Sequence, residues 1–335
     1  MKMNMNEWIE SVKASDRKKA IPVLSFPCIS LLDCTVNQLT HDSSLQAKGM
    51  LEIARRCDAG AAVSFMDLSV GAEAFGSTIR NFDDEVPTVI GTVIEDPEEV
   101  SDLVVPEVGA GRTSLYIEAI RNVSGQITDR PVLAGCIGPY SLAGRLMDVT
   151  EIMYLLYDEP DAVHTVLEKA TEFLIGYISA FKDAGADGVV IAEPLAGLLS
   201  PKMNREFSAP YFKKIVDSVQ TEEFSVIYHN CGNTVMDLLD DIFALNAAAY
   251  SFGDCLDMAK VLEKAPKDAL CLGNISPAGQ FAGGTPESIH KETTALLKAA
   301  AGYDNFIISS GCDIPPHAKW ENILSFFEAV KEFKA

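Results

Sequence analysis

The sequence predicts an α/β fold, a (β/α)8 TIM barrel with a short helix before it and a long lid-like insertion after its second strand. Three observations carry this expectation: eight short apolar runs recur along the 335 residues, helical patterns lie between most of them, and polar residues follow almost every run. Runs that are apolar on both faces belong to a parallel sheet covered by helices. Barrels of this kind reach such a length as one unit, so residues 1–335 are expected to form a single domain, with 68–130 as an insertion within it.

The elements follow in order. Residues 6–13 place Trp8, Ile9 and Val12 at helical spacing and leave through a basic stretch, Asp16-Arg17-Lys18-Lys19. Strands are predicted at 22–26, 61–66, 131–136, 188–192, 224–229, 247–252, 269–272 and 305–309. Helices are predicted at 151–183, 204–220, 234–245, 257–264, 286–301 and 320–332, the fifth with Thr285 as N-cap and Pro286 in its first turn. The stretch 68–130 replaces the short loop usual in α/β units. Within it, 78–82 and 88–93 read as a hairpin and 109–123 as a helix, and long ordered connections of this kind commonly cover a site. Residues 195–201, Leu-Ala-Gly-Leu-Leu-Ser-Pro, form an apolar rim after the fourth strand, fit to seat a large flat cofactor or a partner.

Composition narrows the function. A formal charge of −21 repels phosphate backbones and anionic membrane surfaces, which argues against nucleic-acid or membrane partners. An anionic substrate would need cations gathered locally, with Arg80, Arg145 and Arg205 as candidates. The absence of a leader pattern or a long unbroken apolar stretch indicates a cytoplasmic, soluble protein. Eight irregularly spaced cysteines suit a reducing compartment rather than a disulfide scaffold. Neither a G-x-G-x-x-G nor a P-loop pattern is present, so nucleotide binding has no local support.

The chemistry concentrates at one place. The run ending in Tyr228-His229-Asn230-Cys231 carries a His-x-Cys pair, and residues two apart on a strand face the same way. Cys312, after the eighth run, would complete a His/Cys/Cys set of soft ligands suited to Zn2+ with one position open. The plainer reading is a core histidine with two inert thiols. In a barrel, active sites sit where the strands end, and Asp67, Tyr140, Glu193, Asp254 and Asn274 each follow a predicted strand. Asp67, Tyr140 and Asn274 are candidate substrate contacts, and Glu193, in the wall of the site, is a candidate catalytic residue. Asp187, at a helix-to-strand turn on the opposite face, reads as structural.

Taken together, DLSVGAEAFG at 67–76, DDEVP at 83–87, GPYSLAG at 138–144, AGADG at 184–188, AEP at 192–194, HNCG at 229–232, GN at 273–274 and SGCDIPP at 310–316 resemble the uroporphyrinogen decarboxylase superfamily. Within it they resemble the methylcobamide:coenzyme M methyltransferase branch. The resemblance implies the barrel fold. It also implies zinc on a His-x-Cys and a distant Cys, a small thiol as methyl acceptor, and a methylated corrinoid carried by a partner corrinoid protein. Cobalamin-independent methionine synthase has a similar ligand logic with an acidic fourth ligand. Asp254 is the match here, with Cys255 and Asp257 as rivals, and its implied catalytic part is to yield the fourth position to the incoming thiol. Two other readings stand beside this one. Against a porphyrinogen decarboxylase, residues 21–42 contain no Arg or Lys, whereas decarboxylases of the superfamily hold substrate carboxylates with arginines there. A catalytically silent corrinoid-binding or assembly protein would close its zinc with four side chains.

Overall fold

Short runs rich in Val, Ile, Leu and Ala, buried on both faces, form the strands, because only a sheet covered on both sides removes all of that surface from water. The computed structural model describes residues 3–15 and 17–334, so Asp16 of the expected basic exit lies outside the described residues. In chain order the strands are β1 (Ala62–Val63), β2 (Thr78–Arg80), β3 (Thr88–Ile90), β4 (Val132–Ile137), β5 (Gly188–Ala192), β6 (Ser225–Asn230), β7 (Ala249–Phe252), β8 (Leu270–Ile275) and β9 (Phe306–Ser310). Seven make one parallel sheet in the order β1-β4-β5-β6-β7-β8-β9, while β2 and β3 pair as an antiparallel hairpin. The fold is α/β and TIM-barrel-like.

The expected first strand at 22–26 is not a strand. Ala20 makes a single parallel bridge to Ile308, and Ile21 donates its N–H to the Ile308 carbonyl at 3.0 Å. Beyond that point the ladder stops, since Pro22 has no N–H to give and the Val23 N–H goes to the Ser310 hydroxyl at 2.9 Å. On the other side Gly60 donates to the Ala20 carbonyl at 2.8 Å. Extended chain thus occupies the eighth place between β9 and the residues leading into β1, without forming a full ladder.

Side-chain alternation sorts the strands into an outer face, packed on the helices, and an inner face. Leu133, Val190, Ile227, Ala249, Leu272 and Ile307 meet on the inner face, and Met5 and Ile9 of helix Met5–Lys13 pack with them. Each fully buried aliphatic side chain contributes about 2 kcal/mol. The Met5 N–H donates to the carbonyl of Glu222, just before β6, so this helix lies where the strands begin. The opposite end, where they finish, is left for chemistry. Within the insertion, the structure contains the hairpin and a helix over Thr113–Ser124. No helix among the described residues is long and apolar enough to cross a membrane.

Candidate metal centre

Alternation along β6 sends Ile227 inward and Tyr228 outward, so His229 points inward one layer above Ile227. Its neighbour in register on β7 is Ser251, whose hydroxyl lies 3.0 Å from His229 Nδ1. That contact leaves Nε2 buried, with no hydrogen-bond partner among the described residues. An orphaned buried polar atom costs about 1–3 kcal/mol unless something fills the place. Beyond the strand, Asn230 turns the chain: its Oδ1 accepts from the Gly232 N–H at 2.9 Å and its Nδ2 donates to the Tyr228 hydroxyl. This local turn sets Cys231 over His229. The β7 loop comes close beneath, and a Cβ on Gly253 would lie 2.6 Å from Cys231 Cα, which only glycine permits.

Cys312, after β9, brings its Sγ to 4.0 Å from that of Cys231. One donor atom from each of His229, Cys231 and Cys312 lies within 4.8 Å of the others. In a tetrahedral zinc site with Zn–S bonds of about 2.3 Å, two sulfurs stand roughly 3.8 Å apart, so the cysteine spacing fits. The proton arrangement fits as well. The S–H of Cys312 donates to Cys231, which holds the Cys231 thiol below its ordinary range; the same bond, with burial second, pushes Cys312 up to about 12. The shared proton thus eases ionisation of Cys231 and opposes that of Cys312. An imidazole and two sulfurs form a donor set matched to zinc.

The other expected site residues divide. Asp254 is exposed and adjoins the trio: a Cβ on Gly311, the residue before Cys312, would lie 2.5 Å from its backbone nitrogen. Its charge also opposes ionisation of Cys231, yet its carboxylate falls outside the 4.8 Å group. The rivals for a fourth ligand are otherwise engaged. The Cys255 thiol donates to the Gly232 carbonyl at 3.4 Å, and Asp257 caps helix Met258–Lys264. Asn274 gives its side-chain amide hydrogens to the carbonyls of Gly253 and Leu256, which props the loop carrying Asp254 rather than offering donors to a substrate.

Three residues lie deeper than expected. Tyr140, read as a substrate contact, is wholly buried with its hydroxyl on Met153 Sδ at 3.3 Å. Glu193, read as catalytic, is also wholly buried. Its oxygens accept the N–H groups of Tyr140 and Ser141 and the Ser141 hydroxyl, capping helix Pro139–Met147. Burial pushes its carboxyl up to about 7, against the opposing pull of those three donors. Asp67, read as a substrate contact, has Oδ1 on the Ser69 N–H and hydroxyl, and Oδ2 on Arg112 Nη1 at 2.6 Å and the Tyr116 hydroxyl at 2.8 Å. Arg112 also binds Glu73 at 2.7 Å. This network ties the end of the first strand to the insertion. Asp187 accepts from the N–H of Val132, the first residue of β4, in keeping with a structural role.

Comparison with known proteins places the chain. The family described as uroporphyrinogen decarboxylase (URO-D) matches residues 29–333. The chain belongs to the uroporphyrinogen decarboxylase family. Among relatives, it is 28% identical over 273 residues to the methylcobamide:CoM methyltransferase MtbA of Methanosarcina acetivorans, covering 80% of this chain and 78% of that one. It is 26% identical over 311 residues to the uroporphyrinogen decarboxylase of Psychromonas ingrahamii, covering 88% and 84%. A solved structure, a methyltransferase from Methanosarcina mazei, superposes with a TM-score of 0.88 at 25% identity over 98% of both chains.

Some hydrogen-bond partners of the candidate residues gave no signal in the sequence. Ser251 sits unremarked in an apolar strand, and only the β6–β7 register puts it beside His229. Arg112 and Tyr116 belong to the insertion, and nothing in their spacing marks them as partners of Asp67. Of the three candidate arginines, Arg80 is exposed on the hairpin and Arg205 pairs with Asp241 at 3.0 Å. Arg145, on helix Pro139–Met147, keeps its Nε buried and unpartnered.

Proposed function

We propose that this protein is a zinc-dependent methyltransferase that moves a methyl group between a methylated corrinoid, carried by a separate corrinoid protein, and a small thiol such as coenzyme M. The observation that carries the reading is the convergence of a ring nitrogen of His229 with Cys231 Sγ and Cys312 Sγ within 4.8 Å. The relatives named as methylcobamide:CoM methyltransferases support the choice of reaction.

His229, Cys231 and Cys312 would hold the metal, and zinc bound there would lower the pKa of a substrate thiol and keep its sulfur nucleophilic at neutral pH. The chain's own part is largely positional. Ser251 fixes the His229 ring so that Nε2 faces the two sulfurs. Cys231 and Cys312 supply up to two negative charges, which offset a divalent cation. Asp254, exposed beside Cys231, would be the carboxylate at hand to give way to an incoming thiol. In the transfer, an S–C bond forms as the Co–C bond breaks, and the bonding pair stays on cobalt. Glu193 acts by holding helix Pro139–Met147 in place. The insertion at 68–130, clamped to Asp67 through Arg112, serves as a lid of a single barrel domain. The rim at 195–201, where Leu198 is 53% exposed, receives the corrinoid face.

The test mixes purified protein with methylcobalamin and a panel of thiols, following formation of Co(I) together with metal content. The wild type is expected to consume methylcobalamin and contain zinc. Cys231→Ala and Cys312→Ala are expected to lose both properties. Full activity in both variants would remove the metal mechanism, and zinc that resists added thiol behind four side chains would favour a non-catalytic role.

A further inference from the structure

Arg145 carries a charge that the described residues leave unsettled. It lies in the last turn of helix Pro139–Met147, half-buried, and its guanidinium makes no hydrogen bond or ion pair among the described residues. Burial disfavours its charge and Asp67 favours it from a distance. Asp67 nevertheless offers no acceptor, because both of its oxygens are filled by Ser69, Arg112 and Tyr116. A guanidinium has five N–H donors in a fork, and a buried charge of this kind without a partner is costly.

Its place in the fold directs it to the mouth of the barrel. Ile137, Ala192 and His229 are neighbours in register across β4, β5 and β6, and the Gly138 N–H bonds to the Ala192 carbonyl. The helix therefore begins in the layer of His229, two strands away, or roughly 10 Å. Helical side chains lean toward the helix N-terminus, which returns Arg145 toward that layer. It shares a stripe with Leu142, and a Cβ on Gly71 would lie 3.5 Å from Leu142 Cδ1, so the stripe faces helix Val70–Ala74, which follows Asp67. The opposite face, at Gly144, lies against Leu195 of the apolar rim.

We propose that Arg145 is the specificity-determining anchor for an oxyanion tail, sulfonate or carboxylate, on the acceptor thiol. The inference rests on the thiol-dependent reading of the site and names the class of thiol that site prefers. Two oxygens of one carboxylate or sulfonate satisfy the fork bidentately, which neither a neutral hydroxyl nor an ammonium tail can do.

The test compares the wild type, Arg145→Gln and Arg145→Lys in two assays. In methyl transfer from methylcobalamin, the KM of Arg145→Gln for 2-mercaptoethanesulfonate and 3-mercaptopropionate is expected to rise about 10- to 100-fold. With 2-mercaptoethanol it should stay within about twofold, with zinc content and circular dichroism unchanged, and Arg145→Lys should be intermediate. In calorimetry, thiol-free ethanesulfonate is expected to bind the wild type and not Arg145→Gln. Equal KM changes for charged and neutral thiols, or ethanesulfonate binding that ignores Arg145, would overturn the proposal. Arg145-dependent ethanesulfonate binding without methylation of any thiol would instead overturn the methyltransferase reading and leave the anion anchor standing.

Discussion

Replacing Glu193 with Gln should change how stability depends on pH. In the folded protein this carboxyl is raised from 4.5 to about 7 by burial, so the folded state holds its proton more tightly than the unfolded chain does. The stability tied to that proton is fully present below pH 4.5 and is lost as pH climbs through about 7. A rise of about 2.5, at roughly 1.4 kcal/mol for each tenfold change in proton affinity, corresponds to about 3 kcal/mol between pH 4.5 and about 8. Gln can still accept from the Tyr140 N–H but cannot accept from both the Ser141 N–H and hydroxyl, a pH-independent cost of about 1 kcal/mol. Urea unfolding of both proteins across that interval isolates the difference, because the remaining titrating groups are common to the two. The wild type should lose about 3 kcal/mol more than Glu193→Gln as pH rises. Identical slopes would refute the reasoning and show that the three hydrogen bonds outweigh desolvation.

Ser251→Ala removes the group that orients His229 and is expected to weaken zinc binding about 10- to 100-fold, measured by competition with a chelator; an unchanged affinity in a folded variant would show that packing alone sets the ring. Asp254→Asn should retain zinc and slow the exchange of one thiol for another, as read by stopped-flow ligand competition. Zinc loss as complete as in Cys231→Ala would make Asp254 an anchor instead.

Much of the scaffold was legible because the signals are local. Apolar runs near 131–136, 188–192 and 224–229 became β4, β5 and β6, and Thr285 caps its helix in a reciprocal box with Ser288. The strand expected at 22–26 failed for a tertiary reason: a side chain, Ser310, takes the Val23 N–H that a ladder would use. His229, Cys231 and Cys312 were legible as a set. Tyr140, Glu193 and Asp67 were read at strand ends, where they do lie. What a strand end does not reveal is whether a side chain looks into the mouth or under the first turn of the next helix, and in these three it turns to protein partners.

The sequence by itself determined the alternation of strand and helix, the acidic character, and a histidine at a strand end with a cysteine two residues on, because each is a local feature of a few residues. The tertiary structure decided that Cys312 meets Cys231 across 81 positions, that Ser251 lies against His229, and that Arg145 is left without a partner among the described residues. Those outcomes depend on strand order, register and ring closure, which arise from contacts summed over the whole chain rather than from any one segment of it.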